Sequence, residues 1–162
     1  MLRQLDDAWK AARNGNKLSE VRNGVYVIAL TNGLSINYKN NRSPIIYIGR
    51  GAIYGRLRSH FHNVPFSLFR SLRGAEFRFY MEAFGDRRSP HLYKDVEGKL
   101  INSFVEMFGE KPLVNKIGAR QESGKHKFDE TCFKPFDMRG MRLKWIVRPT
   151  EHNDWFREME DR

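Results

Sequence analysis

An arginine and a histidine share one face of a predicted helix that follows a buried strand. In the stretch "IIYIGRGAIYGRLRSHF" (residues 45 to 61), an apolar run leads through a Gly-Arg-Gly turn into a segment rich in arginine. Residues 52–62 have helical apolar spacing, which places Arg56 and His60 on the same side and Arg58 on another. A cation beside a proton-handling group at the ends of strands suits a phosphate site. The alternative is that both side chains lie on a solvated helix face.

A glutamate on the predicted helix 90–108 lies among apolar residues. The residues that share its face by helical spacing are Leu100, Ile101, Phe104, Val105 and Phe108. A carboxylate carried inward needs a partner, because an unpaired charge in apolar surroundings is strongly unfavourable. The partner of Glu97 is therefore a metal ion or an arginine, and a structural salt bridge with Arg56 is the alternative to a metal site. Glu106 points to the opposite side of the helix.

Two tyrosines occupy short apolar runs that are typical of buried strands, "GVYVIAL" (24–30) and "PIIYIG" (44–49). Aromatic residues favour strands, so Tyr26 and Tyr47 could serve only to pack the core. Alternatively, a phenol beside a metal ion and an arginine has its pKa lowered and its proton loosened. Asn115, at the end of "KPLVN", could simply end a loop.

The remaining pattern predicts an α+β chain. Residues 2–13 have helical apolar spacing. In residues 75–83 apolar and more polar residues alternate, which predicts a third strand with one face nearer to solvent. The polar, Asn-rich stretch between the first two strands predicts a hairpin with a long loop. After residue 118 the chain is less regular, with a loop-like segment, a further strand within "MRLKWIVRP" and a short acidic helix at the tail. We expect Gly49 to let the chain turn tightly after its strand.

The composition limits the class of protein. The chain has 162 residues and a net charge of +10, from 29 Lys and Arg against 19 Asp and Glu. An excess of this size favours a polyanionic partner such as nucleic acid. No segment has the roughly 18 apolar residues of a membrane span, so we expect no membrane partner. A single cysteine, Cys132, and an N-terminus unlike a signal peptide favour a cytoplasmic location.

Taken together in chain order, these pieces resemble the GIY-YIG nuclease family. They are "GVY" at 24–26, "YIG" at 47–49, Arg56, His60, Glu97 and Asn115. The resemblance covers roughly residues 22–118. It implies a small central three-stranded, mainly antiparallel sheet flanked by helices, after an N-terminal helix (1–21) and before a C-terminal extension (119–162) packed on this core. "GVY" departs mildly from the family tripeptide, and the 21 residues from Tyr26 to Tyr47 indicate an insertion.

The resemblance also implies roles for these residues in a metal-dependent DNA endonuclease. Glu97 would bind one Mg²⁺ or Mn²⁺, and Arg56 would contact the scissile phosphate. Tyr26 would be the general base, with His60 assisting or relaying the proton. Tyr47 would hold a metal-bound water or a phosphate oxygen. The sequence leaves open which tyrosine takes the proton.

Further residues would complete the substrate site. Arg50, Arg58 and Lys116 would bind the substrate through positive charge, and Asn115 would orient the site. DNA is the expected partner, with RNA not excluded. The alternatives are a catalytically silent nucleic-acid-binding module with the same fold and a basic interaction protein without enzymatic activity.

Overall fold

The structure, a computed structural model, describes residues 2–31, 34–62, 64–71, 76–85 and 91–118, together with 136 and 145–147. The described helices are α1 (Leu2–Ala12), a 3-10 turn (Leu18–Glu20), α2 (Ile53–Phe61), α3 (Val64–Ser71) and α4 (Leu92–Phe108). The described strands are β1 (Gly24–Leu30), β2 (Leu34–Asn37), β3 (Arg42–Ser43), β4 (Ile45–Gly51), β5 (Phe77–Ala83) and β6 (Trp145–Val147). The expected α+β class, with a three-stranded antiparallel sheet flanked by helices, is confirmed.

The central sheet has the order β4-β1-β5, and both of its pairings are antiparallel. Every residue of β1 is buried, because this strand lies in the middle of the sheet. Its unbroken apolar run is what a strand covered on both faces requires. Strands β1 and β4 are neighbours, as the predicted hairpin requires, and α4 packs against both of them.

The segment between β1 and β4 is not the polar loop that its composition predicts. It contains β2 and β3, which form a second sheet of order β3-β2-β6 with the C-terminal strand. Strand β6 lies within the predicted "MRLKWIVRP" strand and runs parallel to β2. The physical reason is that Leu34, Ile36 and Tyr38 are buried despite their polar neighbours. The Tyr38 hydroxyl donates a hydrogen bond to the Ile45 carbonyl at 2.6 Å.

The predicted helices are found with small differences. Helix α2 begins one residue later and ends one residue earlier than expected, and α4 begins at Leu92 rather than residue 90. Val105 was expected to face the core but is 36% exposed. Helix α4 ends at Gly109, whose φ of +80° is a left-handed conformation that suits glycine. Helix α3 was not predicted.

The C-terminal part contacts the core at one described side chain. Phe136 is buried and packs edge-on against Phe104 of α4, with 5.8 Å between the ring centroids. The predicted loop after residue 118, Cys132 and the acidic tail helix lie outside the described residues. Within the described ranges, every helix is too short or too polar to cross a membrane.

Candidate active site

The hydroxyl of Tyr26 is hydrogen-bonded to the Nε2 atom of His60 at 2.9 Å. Tyr26 lies near the start of β1 and is only 1% exposed. His60 lies in the last turn of α2. The apolar stripe of this helix is fully buried at Ile53 and Leu57 and partly buried at Phe61. The burial of this stripe fixes the rotation of α2 and thereby brings His60 to the strand.

Tyr47 joins this pair from the neighbouring strand. In the β1–β4 register, Tyr26 is opposite Gly49 and Ile28 is opposite Tyr47, so the tyrosines are diagonal neighbours on one face. Their ring centroids lie 5.7 Å apart. The ring of Tyr47 also meets His60 edge-on at 4.3 Å. The two tyrosines and the histidine therefore form one cluster.

The glycine of "YIG" is needed for a different reason from the one that the sequence suggested. Gly49 lies inside β4, not in a turn. A Cβ atom at this position would lie 2.9 Å from Cζ and Oη of Tyr26, and it would also overlap the ring of Tyr47. The positive φ that favours glycine belongs to Gly51, the last residue of β4, whose φ is +110°. Gly49 is thus required by the close approach of the two phenols.

His60 is held as a neutral imidazole. Burial lowers its pKa below the usual 6.5, and the positive charge of Arg56 lowers this pKa further. The groups around the ring are Tyr26 from β1, Tyr47 from β4 and the Phe66 ring from α3, whose centroid lies 5.2 Å away. A neutral imidazole with its proton on Nδ1 accepts a hydrogen bond at Nε2. His60 can therefore accept the Tyr26 proton.

The pKa values of the two phenols are raised in the protein alone. Burial raises the pKa of Tyr26 well above its usual 10, and Tyr47 adds to the increase. Burial likewise raises the pKa of Tyr47. Arg56 lowers both values but does not outweigh burial. In the protein alone both phenols are protonated, so Tyr26 can accept a proton only by passing its own to His60.

Arg56 brings positive charge to the cluster from the first turn of α2. Its side chain is exposed, and its charge acts on Tyr26, Tyr47 and His60. A Cβ atom at Gly51 would lie 4.0 Å from its Nε atom, so the guanidinium stands beside the end of β4. Because this arginine is accessible to solvent and its charge acts on all three groups, it can contact a phosphate that binds at the cluster.

Glu97 pairs with Arg50 rather than with Arg56, the partner named from sequence. The Arg50 Nε and Glu97 Oε2 atoms lie 3.3 Å apart, and the side chains are 24% and 17% exposed respectively. The charge of Glu97 raises the pKa values of both tyrosines, so it lies within electrostatic reach of the cluster. The ion pair joins the end of β4 to α4.

Asn115 binds the backbone of β4 beside Tyr47. Its Oδ1 atom accepts a hydrogen bond from the Ile48 N–H at 3.0 Å, and its Nδ2 atom donates to the Ile48 carbonyl at 2.8 Å. Next to it, the Val114 N–H donates to the Ile46 carbonyl at 2.9 Å. The segment therefore completes the outer edge of β4 as another strand would, and Asn115 acts on the site through the backbone that carries Tyr47.

The other two expected substrate contacts lie on the surface. Arg58 and Lys116 are both exposed, and the Lys116 carbonyl accepts a hydrogen bond from Lys111 Nζ at 3.3 Å. Phe66 is a site residue that sequence reasoning missed. The only indication was the aromatic content of "VPFSLFRS", which was not assigned to a helix.

Within the described residues, a divalent cation at this site would be bound through one carboxylate and not by a full set of protein ligands. No group of three or more His, Cys, Asp and Glu side chains that could hold a metal ion occurs among them. Mg²⁺ is commonly bound through one or two carboxylates, with substrate phosphates and water as the other ligands. Glu97 is partly exposed and lies within electrostatic reach of the two phenols, so it fits a site of this kind.

The chain matches none of the models of known protein families, none of the curated proteins and none of the solved structures with which it was compared.

Proposed function

We propose that the protein is a metal-dependent endonuclease that hydrolyses phosphodiester bonds in DNA through a site of the GIY-YIG type. The observation that carries the proposal is the cluster of Tyr26, Tyr47 and His60, with Arg56 beside it. These side chains come from three elements, β1, β4 and α2, and each belongs to the pattern that resembles the family. Packing alone does not require a tyrosine hydroxyl and an imidazole nitrogen to meet at hydrogen-bonding distance.

The hydrogen bond between Tyr26 and His60 provides a path for a proton. The attacking water would give its proton to the Tyr26 oxygen as that oxygen passes its own proton to Nε2 of His60. The raised pKa of Tyr26 and the lowered pKa of His60 mean that both groups start in the required protonation state at neutral pH. The phenol therefore never needs to exist as a free phenolate.

Positive charge on the protein would bind and neutralise the substrate. Arg56 is exposed next to the cluster and would contact the scissile phosphate, where developing negative charge is stabilised by a fixed cation. The net charge of +10 supports binding to the phosphate backbone, independently of base sequence.

A divalent cation, Mg²⁺ or Mn²⁺, would supply further charge neutralisation at the phosphate when bound. Glu97 would hold it, and the exposed fraction of that side chain leaves room for substrate oxygens. Asn115 would keep β4, and with it Tyr47, in position by its two hydrogen bonds to Ile48.

A plasmid-nicking assay with Mg²⁺ and with EDTA tests the proposal. The wild type should nick supercoiled DNA only with the metal. Glu97→Gln should abolish nicking but leave DNA binding largely intact, because the basic surface is unchanged. Glu106→Gln is the matched control, because Glu106 lies on the exposed side of the same helix. This variant should nick DNA as the wild type does. Cleavage by Glu97→Gln at the wild-type rate would show that the metal assignment is wrong.

The second candidate is a nucleic-acid-binding module that has the fold without the activity. One observation favours it: Glu97 is already paired with Arg50. Such a site is electrostatically satisfied without a substrate. DNA binding with no nicking at any metal concentration would support this candidate over the first.

A further inference from the structure

The ion pair between Arg50 and Glu97 engages the carboxylate that the proposed function assigns to the metal. The Nε–Oε2 distance of 3.3 Å places the guanidinium against this carboxylate, and both side chains are only partly exposed. A divalent cation that approaches Glu97 meets the positive charge of Arg50 at close range. The arginine and the cation therefore compete for the same oxygen.

We propose that Arg50 keeps Glu97 from binding a divalent cation until a nucleic-acid phosphate draws the guanidinium away, so that metal and nucleic acid bind cooperatively. This inference rests on the proposed function, because it takes Glu97 as the metal ligand. It gives Arg50 a role as a positioning residue that controls when the carboxylate is available.

The chemistry of the two groups supports this exchange. A single carboxylate with a cation beside it attracts Mg²⁺ or Mn²⁺ only weakly, whereas a phosphate brings additional oxygen ligands and negative charge. A guanidinium binds phosphate as readily as it binds carboxylate, with two parallel hydrogen bonds. Arg50 is 24% exposed, so a phosphate can reach it. By linkage, phosphate must favour metal binding by the same factor by which metal favours phosphate binding.

The test measures Mn²⁺ binding to the 162-residue chain without nucleic acid, by electron paramagnetic resonance of the free ion. Arg50→Gln should bind Mn²⁺ about fivefold more tightly than wild type, which corresponds to about 1 kcal/mol. Arg50→Lys keeps the charge and should bind as weakly as wild type. Arg78→Gln removes one positive charge from an exposed site on β5, the opposite edge strand, and should also resemble wild type.

The double variant Arg50→Gln/Glu97→Gln shows whether the gain acts through the carboxylate. It should lose the increase in affinity, and circular dichroism should show that each variant is folded. Equal Mn²⁺ binding by wild type and Arg50→Gln, including undetectable binding by both, would overturn the inference. A gain that survives in the double variant would also overturn it. Because no cleavage is measured, failure here is distinct from failure of the proposed nuclease activity.

A second measurement tests the same coupling through the effect of a divalent cation on the affinity for nucleic acid. The affinity for a fluorescein-labelled DNA duplex is measured by anisotropy in EDTA and in Ca²⁺ at constant ionic strength. Ca²⁺ should tighten binding by the wild type and by Arg78→Gln about equally, and should tighten binding by Arg50→Gln less. An equal effect of Ca²⁺ on all three proteins would contradict the proposed coupling.

Discussion

Gly49 allows the packing of the two tyrosines to be tested without removing a functional group. Replacing it by alanine adds one methyl group on the face of β4 that carries both phenols. The added Cβ would lie 2.9 Å from Cζ and Oη of Tyr26 and would overlap Cε1 of Tyr47. Tyr26 is 1% exposed, so its ring cannot relieve the overlap by turning out into solvent.

The magnitude follows from this overlap. Overpacking a buried site by one carbon typically costs about 1–3 kcal/mol. For a chain of this size, such a loss should lower Tm by roughly 3–10 °C. If the phenol moves aside by about 1 Å, its hydrogen bond to His60 is broken, and cleavage should fall by about 100-fold.

The matched control is Gly55→Ala in α2. Among the described residues, and apart from the adjoining backbone of its own helix, no atom lies within 4 Å of a Cβ at Gly55, and the residue is exposed. Alanine favours a helix interior over glycine by about 0.5–1 kcal/mol, so this variant should be more stable than wild type and equally active.

Differential scanning calorimetry and single-turnover cleavage of a labelled duplex measure the two effects in parallel. We expect Tm to fall in Gly49→Ala and to rise in Gly55→Ala. Only Gly49→Ala should lose activity. An equally stable and active Gly49→Ala protein would refute the close packing of the phenols at this glycine.

Three further predictions concern the surrounding residues. Asn115→Ala leaves the buried N–H and carbonyl of Ile48 without their partner, so it should lower the free energy of unfolding by about 1–3 kcal/mol in urea titrations; an unchanged midpoint would contradict this role. His60→Ala should lower the cleavage rate about 100-fold. In wild type the rate should rise with pH through a pKa below 6.5 and then stay level, because the neutral imidazole is the active form; a rate that falls over this range would contradict the relay. Arg56→Ala should reduce cleavage strongly, whereas Arg58→Ala should mainly weaken DNA binding in anisotropy titrations, and identical effects of the two would refute their separation.

Much of the central fold could be predicted from sequence because local pattern and burial agree there. The apolar run of β1 and the helical stripe of α2 each have one consistent interpretation. The segment between β1 and β4 could not be predicted, because it depends on contacts distant in sequence: β2 pairs with β6, and the buried Tyr38 packs on Phe104 and Phe108 of α4. Polar composition favoured a loop, and long-range contacts determined the outcome.

The candidate site was predictable in its members but not in their pairings. Helical spacing placed Arg56 and His60 together, and α2 brings His60 to Tyr26. Spacing could not show that Arg50, rather than Arg56, pairs with Glu97, because that contact depends on how α4 packs on β4. The raised pKa values of the phenols in the protein alone could not be predicted, since the sequence shows neighbouring charges but not the depth of burial.

The central claim is that the cluster around Tyr26 cleaves DNA through the phenol oxygen, and Tyr26→Phe tests it most directly. This variant removes one oxygen and keeps the ring that fills the core. The measurement is single-turnover cleavage of a labelled duplex in Mg²⁺ by wild type and variant, with circular dichroism to confirm folding. We predict a loss of at least about 100-fold in rate with an unchanged fold. Cleavage by a folded Tyr26→Phe protein at a rate near that of the wild type would contradict the account.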